Sequence, residues 1–253
     1  MTVVTDAGPA LAQGPTTPVP RPGGRELWLR VASSLVLAPL AVAAAYVGGG
    51  WFIAFWLFAA AGILWEWLAL VAGAPSLLGA ARAAWIALGA TYAGAMLAAP
   101  VVVRADAALG FVAMIFLFAV VWTTDVAAYF AGRLVGGAKL WPAVSPNKTW
   151  SGAIAGAMAA TLAGLAVGAV ADVGRAAPIA ALSFALSVFA QLGDLFESAL
   201  KRRFGAKDTS HAIPGHGGLM DRLDGFLAAA LAAAVVGLLR GGADGAARGF
   251  LLW

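Results

Sequence analysis

Apolar residues run almost unbroken along this chain, in stretches of about 20 that short polar interruptions separate, the length a helix needs to cross a bilayer. Seven such stretches are visible: roughly Glu26 to Val47, Trp51 to Ala72, Ala83 to Ala99, Ala107 to Phe130, Trp150 to Ala171, Ala176 to Leu200 and Leu223 to Leu239. The fold class expected is all-α, a polytopic transmembrane helix bundle of about seven to nine spans, the upper figure leaving room for a broken helix or a further span. Pro39 is expected to kink the first stretch, and Glu66 interrupts the second between Trp65 and Trp67. Glu66 is expected to be either an intramembrane partner for a basic residue or an interfacial glutamate.

Composition narrows the class. Of 253 residues, 62% are hydrophobic and 11% charged, and mean hydropathy is +0.89. A soluble domain is about 45–50% apolar and about 25% charged. The absence of cysteine removes disulfide frameworks, thiolate metal sites and cysteine nucleophiles. The net charge of +4 does not point to nucleic acid, because membrane proteins concentrate Lys and Arg in cytoplasmic loops. With the N-terminus inside, Arg21, Arg25, Arg30, Arg82, Arg133, Lys139, Lys148, Lys201, Arg202, Arg203, Lys207 and Arg222 fall on the cytoplasmic side. Arg104, Arg175, Arg240 and Arg248 fall opposite, 12 against 4. Residues 1–25, rich in Pro, Gly and Thr, read as a disordered cytoplasmic tail without the basic start and apolar run of a signal peptide. The chain then divides into N-terminal transmembrane helices at 26–100 and a catalytic transmembrane domain at 101–253. Gly152 and Gly156, four apart, read as a helix-packing device.

The few charges are concentrated. Between Asp194 and Asp224 lie Asp194, Glu197, Asp208, Asp221, Asp224, Lys201, Arg202, Arg203, Lys207 and Arg222, ten of the chain's 28 charged residues. Charges in or beside a membrane span are costly and usually functional. Asp194, Glu197, Ser198 and Lys201 fall at i, i+3, i+4 and i+7, one face of one helix. A Gly- and His-containing loop follows at 207–218, in which glycines can turn backbone N–H groups toward an anion and Lys207 supplies charge. Asp221 and Asp224, three apart, then open the last stretch.

A second polar cluster joins the fourth and fifth stretches. Asp125, Tyr129 and Arg133 share a helix face, and the loop Leu140 to Trp150 is held extended by Pro142 and Pro146. Ser145, Lys148 and Thr149 within it are groups that contact phosphate oxygens. Two acidic helix faces and two basic loops at one membrane surface suggest a divalent cation and a polyphosphate. Magnesium, which takes carboxylates together with substrate phosphates, fits better than zinc.

From Ser198 through Lys201-Arg202 and Lys207-Asp208 to His216-Gly217-Gly218-Leu219-Met220-Asp221-Arg222-Leu223-Asp224, the chain resembles the signature of the phosphatidate cytidylyltransferases, the CDP-diacylglycerol synthases. The segments Asp125 to Tyr129 and Ser145 to Thr149 are similar to that family too, so the likeness covers roughly residues 101–240. It implies a membrane nucleotidyltransferase that condenses CTP with phosphatidic acid, releasing pyrophosphate. Magnesium would be its cofactor, with a second, monovalent cation such as potassium as a further candidate. Asp194 and Asp221 map onto the family's metal ligands, with Asp224, Asp125 and Glu197 as further candidates. Lys201, Lys207 and Arg222 join the two aspartates as catalytic residues. Ser145, Lys148, Thr149, Ser198, Arg202, His216, Gly217 and Gly218 are expected to bind substrate, while His211 and Asp208 receive no role. Apart from the resemblance, the short tail without an organelle address favours the inner (cytoplasmic) membrane, the charge bias turns the site toward the cytoplasm among membrane lipid, and the small-residue helix faces suit a homodimer.

Two rivals come from other chemistries. A CTP-dependent lipid-alcohol kinase would transfer the γ-phosphate and release CDP. An ion-coupled transporter would carry its acids at mid-span and is disfavoured by their position at helix ends.

Overall fold

The computed structural model describes residues 24–206, 209–210 and 217–253, with side chains described from residue 35 onward. The seven apolar stretches form seven helices: α1 (Gly24–Val47), α2 (Gly49–Ala72), α3 (Gly79–Ala105), α4 (Gly110–Leu134), α5 (Trp150–Val170), α6 (Ala176–Arg203) and α7 (Met220–Gly241). Helices are the outcome because a segment in hydrocarbon must satisfy every backbone group internally. Six of them, α2 to α7, are long and apolar enough to cross a membrane, and α1 adds the shorter apolar stretch Leu35–Val47. α1 continues as helix through Pro39, and α3 through Pro100. The remaining elements among the described residues are a two-stranded hairpin, a single 3-10 turn (Ala243–Gly245) and a short C-terminal helix, α8 (Ala246–Leu251), none of which apolar run length announces.

Long-range contacts sort the helix ends into two sets, as short connections between successive helices require. At one end, Arg104 of α3 donates from Nε to Ala45 O at the end of α1 (2.6 Å). Asp106 there binds Arg248 of α8, and Arg175, before α6, donates to Trp253 O. At the other end meet the C-terminal parts of α2, α4 and α6 and the starts of α3, α5 and α7. Trp85 of α3 packs edge-on against Phe204 after α6, and Glu66 of α2 binds the start of α7. This second end carries the clustered charges.

Small residues set the helix spacing. At the α4–α5 seam, a Cβ on Gly156 would lie 2.9 Å from Thr124 O, and one on Gly152 would lie 2.7 Å from Ala128 O. The Gly152/Gly156 pair is therefore the packing device its spacing suggests. At the α6–α7 seam, Gly193 and Gly225 face Asp224 O and Ala190 O. Aromatic side chains fill the centre: Trp56 of α2 stacks on Phe226 of α7 with centroids 5.0 Å apart, and Phe118 of α4 lies against the same ring. Large apolar side chains such as Trp51, Phe58, Val170 and Leu239 stay outward, where a lipid chain solvates them.

Candidate active site

At the charged end, α6 and α7 lie close because each carries a glycine beside an aspartate, Gly193-Asp194 and Asp224-Gly225. This approach brings together the carboxylates of Asp194, Glu197 and Asp224, with one oxygen of each lying within 4.8 Å of the others. Glu197 and Asp224 are buried and Asp194 is half-buried. Glu197 Oε1 is buried with no hydrogen-bond donor among the described residues, and the Asp221 carboxylate neighbours the Glu197 side chain. An acceptor left in that state is costly.

Lys201 stands between two acids. Its Nζ lies 2.7 Å from Glu197 Oε2, one helical turn back, and 2.6 Å from Asp221 Oδ1. Asp221 Oδ2 accepts from Gly218 N (2.8 Å) and Thr209 N (3.3 Å), with Thr209 Oγ1 at 3.1 Å. Asp221 is thus surrounded by donors, whereas in the three-acid group Asp194 pairs with Lys148, Glu197 with Lys201, and Asp224 Oδ1 accepts from Gly225 N (2.7 Å).

The connection between α4 and α5 reaches over this group. Residues Lys139–Trp141 (β1) and Ser145–Thr149 (β2) pair antiparallel, Lys139 opposite Thr149 and Trp141 opposite Ser145, with an irregularity between the two pairs. The hairpin brings Lys148 into an ion pair with Asp194. Arg202 Nε donates to Val144 O (3.4 Å), tying the hairpin to the end of α6. Asp125, exposed on α4, lies within electrostatic reach of Asp194, Lys148 and Arg222. Farther along that face Arg133 donates to Tyr129 Oη (2.7 Å) and lies over its ring.

Residues 72–239, about two thirds of the chain, match the model of the cytidylyltransferase family. The chain belongs to that family. It is 51% identical over 146 residues to the phosphatidate cytidylyltransferase of Brucella suis biovar 1, covering 58% of this chain and 54% of the relative. The enzyme of the same description from Staphylococcus saprophyticus is 45% identical over 115 residues, covering 45% of this chain and 44% of the relative. The alignments thus span about half the length of these curated relatives.

Not every expected site residue of this cytidylyltransferase-family chain joins one group. Asp194, Glu197, Asp221, Asp224, Lys201 and Lys148 converge, with Ser198 half-buried on the same α6 segment and Arg222 exposed at the start of α7. Thr149 is buried and serves as the N-cap of α5: its Oγ1 accepts from Gly152 N (3.1 Å) and lies 3.0 Å from Ser151 Oγ. Ser145 is half-buried on β2. Gly217 adopts φ +81°, which favours glycine, and the Gly218 N–H is directed at Asp221. Lys207, Asp208, His211 and His216 lie outside the described residues.

Two contributors carried no assigned role in the sequence. Thr209 supplies two donors to Asp221, and Glu66 binds the residues around it from a helix about 140 positions earlier. Glu66 was visible as a charge inside an apolar run. Its partners are hydroxyl and backbone donors, a class that no charge pattern reveals.

Proposed function

We propose that this protein transfers the cytidylyl group of CTP to phosphatidic acid, giving CDP-diacylglycerol and pyrophosphate. The three-acid group Asp194, Glu197 and Asp224 carries the reading. It is a set of hard oxygen donors with an orphaned buried oxygen, in a transmembrane bundle of the cytidylyltransferase family. The names of the similar enzymes from Brucella and Staphylococcus supply the substrate class.

The donor set fits magnesium, which takes carboxylates plus phosphate oxygens. Asp194, Glu197 and Asp224 would hold it, while Asp221, which the resemblance makes a ligand, lies beside Glu197 with its oxygens taken by Lys201, Gly218 N and Thr209. When bound, the cation would offset charge on the triphosphate. The attacking group is a phosphate oxygen of phosphatidate, already largely anionic near neutral pH because its second pKa is about 6. It forms a bond to the α-phosphorus of CTP while the bond to the pyrophosphate oxygen breaks. No protein nucleophile is needed, so the chain's work is positioning and charge compensation. Lys201 fixes Glu197 and Asp221 relative to each other. Lys148, on the hairpin beside Asp194, is placed to exchange that carboxylate for a phosphate oxygen. A groove of about 270 Å³ between α3, α6 and α7, lined by Tyr92, Leu192, Phe196, Leu227, Leu231 and also Asp224, offers an acyl chain an apolar path beside the acids.

We place the site on the cytoplasmic face of the cytoplasmic membrane. Among side chains described, Arg82, Arg133, Lys139, Lys148, Lys201, Arg202, Arg203 and Arg222 lie at the site end, while Arg104, Arg175, Arg240 and Arg248 lie at the other, the bias of cytoplasmic loops.

The test is purified protein in detergent with phosphatidic acid, α-labelled CTP and magnesium, with and without EDTA. Label entering lipid with pyrophosphate released in equal amount, both lost with EDTA, is expected, and Asp224→Asn should abolish both without unfolding the protein. Folded protein that labels no lipid overturns the reading. Label that enters a lipid alcohol from γ-labelled CTP would establish the kinase instead.

A further inference from the structure

Glu66 has no part in the transfer chemistry described above, yet it is fully buried and both of its oxygens are engaged. Oε1 accepts from Ser210 Oγ (2.6 Å) and Leu219 N (2.7 Å). Oε2 accepts from Met220 N (2.8 Å) and lies 3.2 Å from Thr209 Oγ1. A carboxylate of α2 thus occupies the N-terminus of α7. That helix opens after Leu219, whose side chain makes no capping hydrogen bond. The first turn of any helix leaves N–H groups without intrahelical partners and a partial positive charge. Glu66 meets both needs from another part of the chain.

The same contacts lead into the site. Thr209 Oγ1 lies 3.2 Å from Glu66 Oε2 and 3.1 Å from Asp221 Oδ2, so its single proton links the two carboxylates. Asp221 is held in turn by Lys201, and Lys201 by Glu197. Two glycines record the fit. A Cβ on Gly218 would stand 2.8 and 2.9 Å from the Glu66 oxygens, and one on Gly62, a turn before Glu66, would stand 2.8 Å from Leu219 Cδ2. Gly218 is small here because the Thr209 hydroxyl, nearest of all, and the Glu66 carboxylate together fill the place of its side chain. Glu66 itself precedes the residues 72–239 that match the family model.

We propose that Glu66 is a positioning residue for the transfer reaction. It clamps residues 209–210 and the first turn of α7 to α2, so that Asp221 faces Lys201 while Asp224 faces Asp194 and Glu197. The inference rests on the cytidylyl-transfer reading for its kinetic consequence and on geometry alone for the clamp.

The experiment compares full-length wild type, Glu66→Ala and Glu66→Gln, each purified as folded protein in detergent. Three quantities are measured: kcat and KM for CTP and phosphatidate, thermal unfolding, and hydrogen exchange of residues 217–221. Misplacing reacting groups by about 1 Å costs about 100-fold in rate, so kcat should fall by about that factor in Glu66→Ala. KM values should change by less than about twofold, since uniform binding is not what the clamp supplies. Glu66→Gln keeps the side-chain shape and one acceptor and should lie between, which preserves the test if the alanine variant does not fold. Exchange at 217–221 should accelerate in both variants while α5 stays protected. Variants that unfold earlier but turn over at the wild-type kcat when folded would overturn the proposal, as would unchanged exchange at 217–221. Wild-type protein that transfers no cytidylyl group overturns the reaction reading instead, and the exchange result then decides the clamp by itself.

Discussion

The α6–α7 seam gives the sharpest test of how packing sets the chemistry. Gly193→Ala adds one methyl group, whose carbon would stand 2.5 Å from Asp224 O and 2.7 Å from Ala228 Cβ. Carbon atoms in contact settle about 3.5 Å apart or more, so the seam must open by about 0.8 Å. Overpacking of this kind costs about 1–3 kcal/mol of stability. The functional cost should be larger, because the residue pushed away is Asp224, which shares the acid group with Asp194 and Glu197. A carboxylate displaced by most of an ångström no longer meets its two neighbours in the arrangement that the acid group holds. Turnover of folded Gly193→Ala should therefore drop by about 100-fold. Gly156→Ala is the control: its Cβ would meet Thr124 O at 2.9 Å and Ala128 Cβ at 3.2 Å, in the α4–α5 seam. That variant should lose comparable stability while keeping most of its turnover. The assay is labelled-lipid formation by monodisperse protein in detergent, alongside thermal unfolding followed by tryptophan fluorescence. If Gly193→Ala unfolds earlier but its folded fraction works at the wild-type rate, the seam does not set the geometry of the acids.

The helices were legible because the bilayer imposes one strong rule, a run of about 20 apolar residues. α2, for which Trp51 to Ala72 was expected, is Gly49–Ala72, and α5 begins at Trp150 as expected. The Leu140-to-Trp150 loop was recognised as extended from its prolines, but its closure into a hairpin was not, since three- and five-residue strands carry no periodicity. α8 escaped for the same reason: six residues are too few for a hydropathy pattern. Within the site, i, i+3 and i+7 spacing correctly put Asp194, Glu197 and Lys201 on one helix face. Spacing could not say how α6 and α7 would pair their acids. That was settled by the glycines beside Asp194 and Asp224, a signal present in the sequence but ambiguous among its 32 glycines. Glu66 shows a different limit. Its charge was conspicuous, but its partners include two backbone N–H groups, which every non-proline residue possesses.

Two further predictions separate structural roles from chemical ones. Thr149→Val keeps the side-chain shape but removes the acceptor for Gly152 N, so stability should fall by about 1 kcal/mol, read by thermal unfolding. Turnover of the folded fraction should stay near wild type, and a large loss of turnover would assign the hydroxyl to substrate. Asp106, at the opposite end of the bundle and beyond the end of α3, tests electrostatics. Its Oδ1 accepts from Ala108 N (3.0 Å) and Leu109 N (3.3 Å), and its Oδ2 from Arg248 N (2.9 Å) and Nε (3.1 Å). Burial pushes its pKa up, but the Arg248 N–H and the other donors outweigh burial and hold the carboxyl below its ordinary 3.8. The unfolded chain therefore binds this proton more readily than the folded one. The stabilisation is fully present above the ordinary pKa and is lost as pH falls through the lower folded value. Wild type should unfold at a higher temperature than Asp106→Asn by a constant margin from pH 7 down to about 4, and that margin should shrink at more acid pH. A margin equally large at pH 7 and at about pH 3 would mean that Asp106 acts through shape alone, because a charge that anchors α8 through Arg248 must lose its grip once protonated.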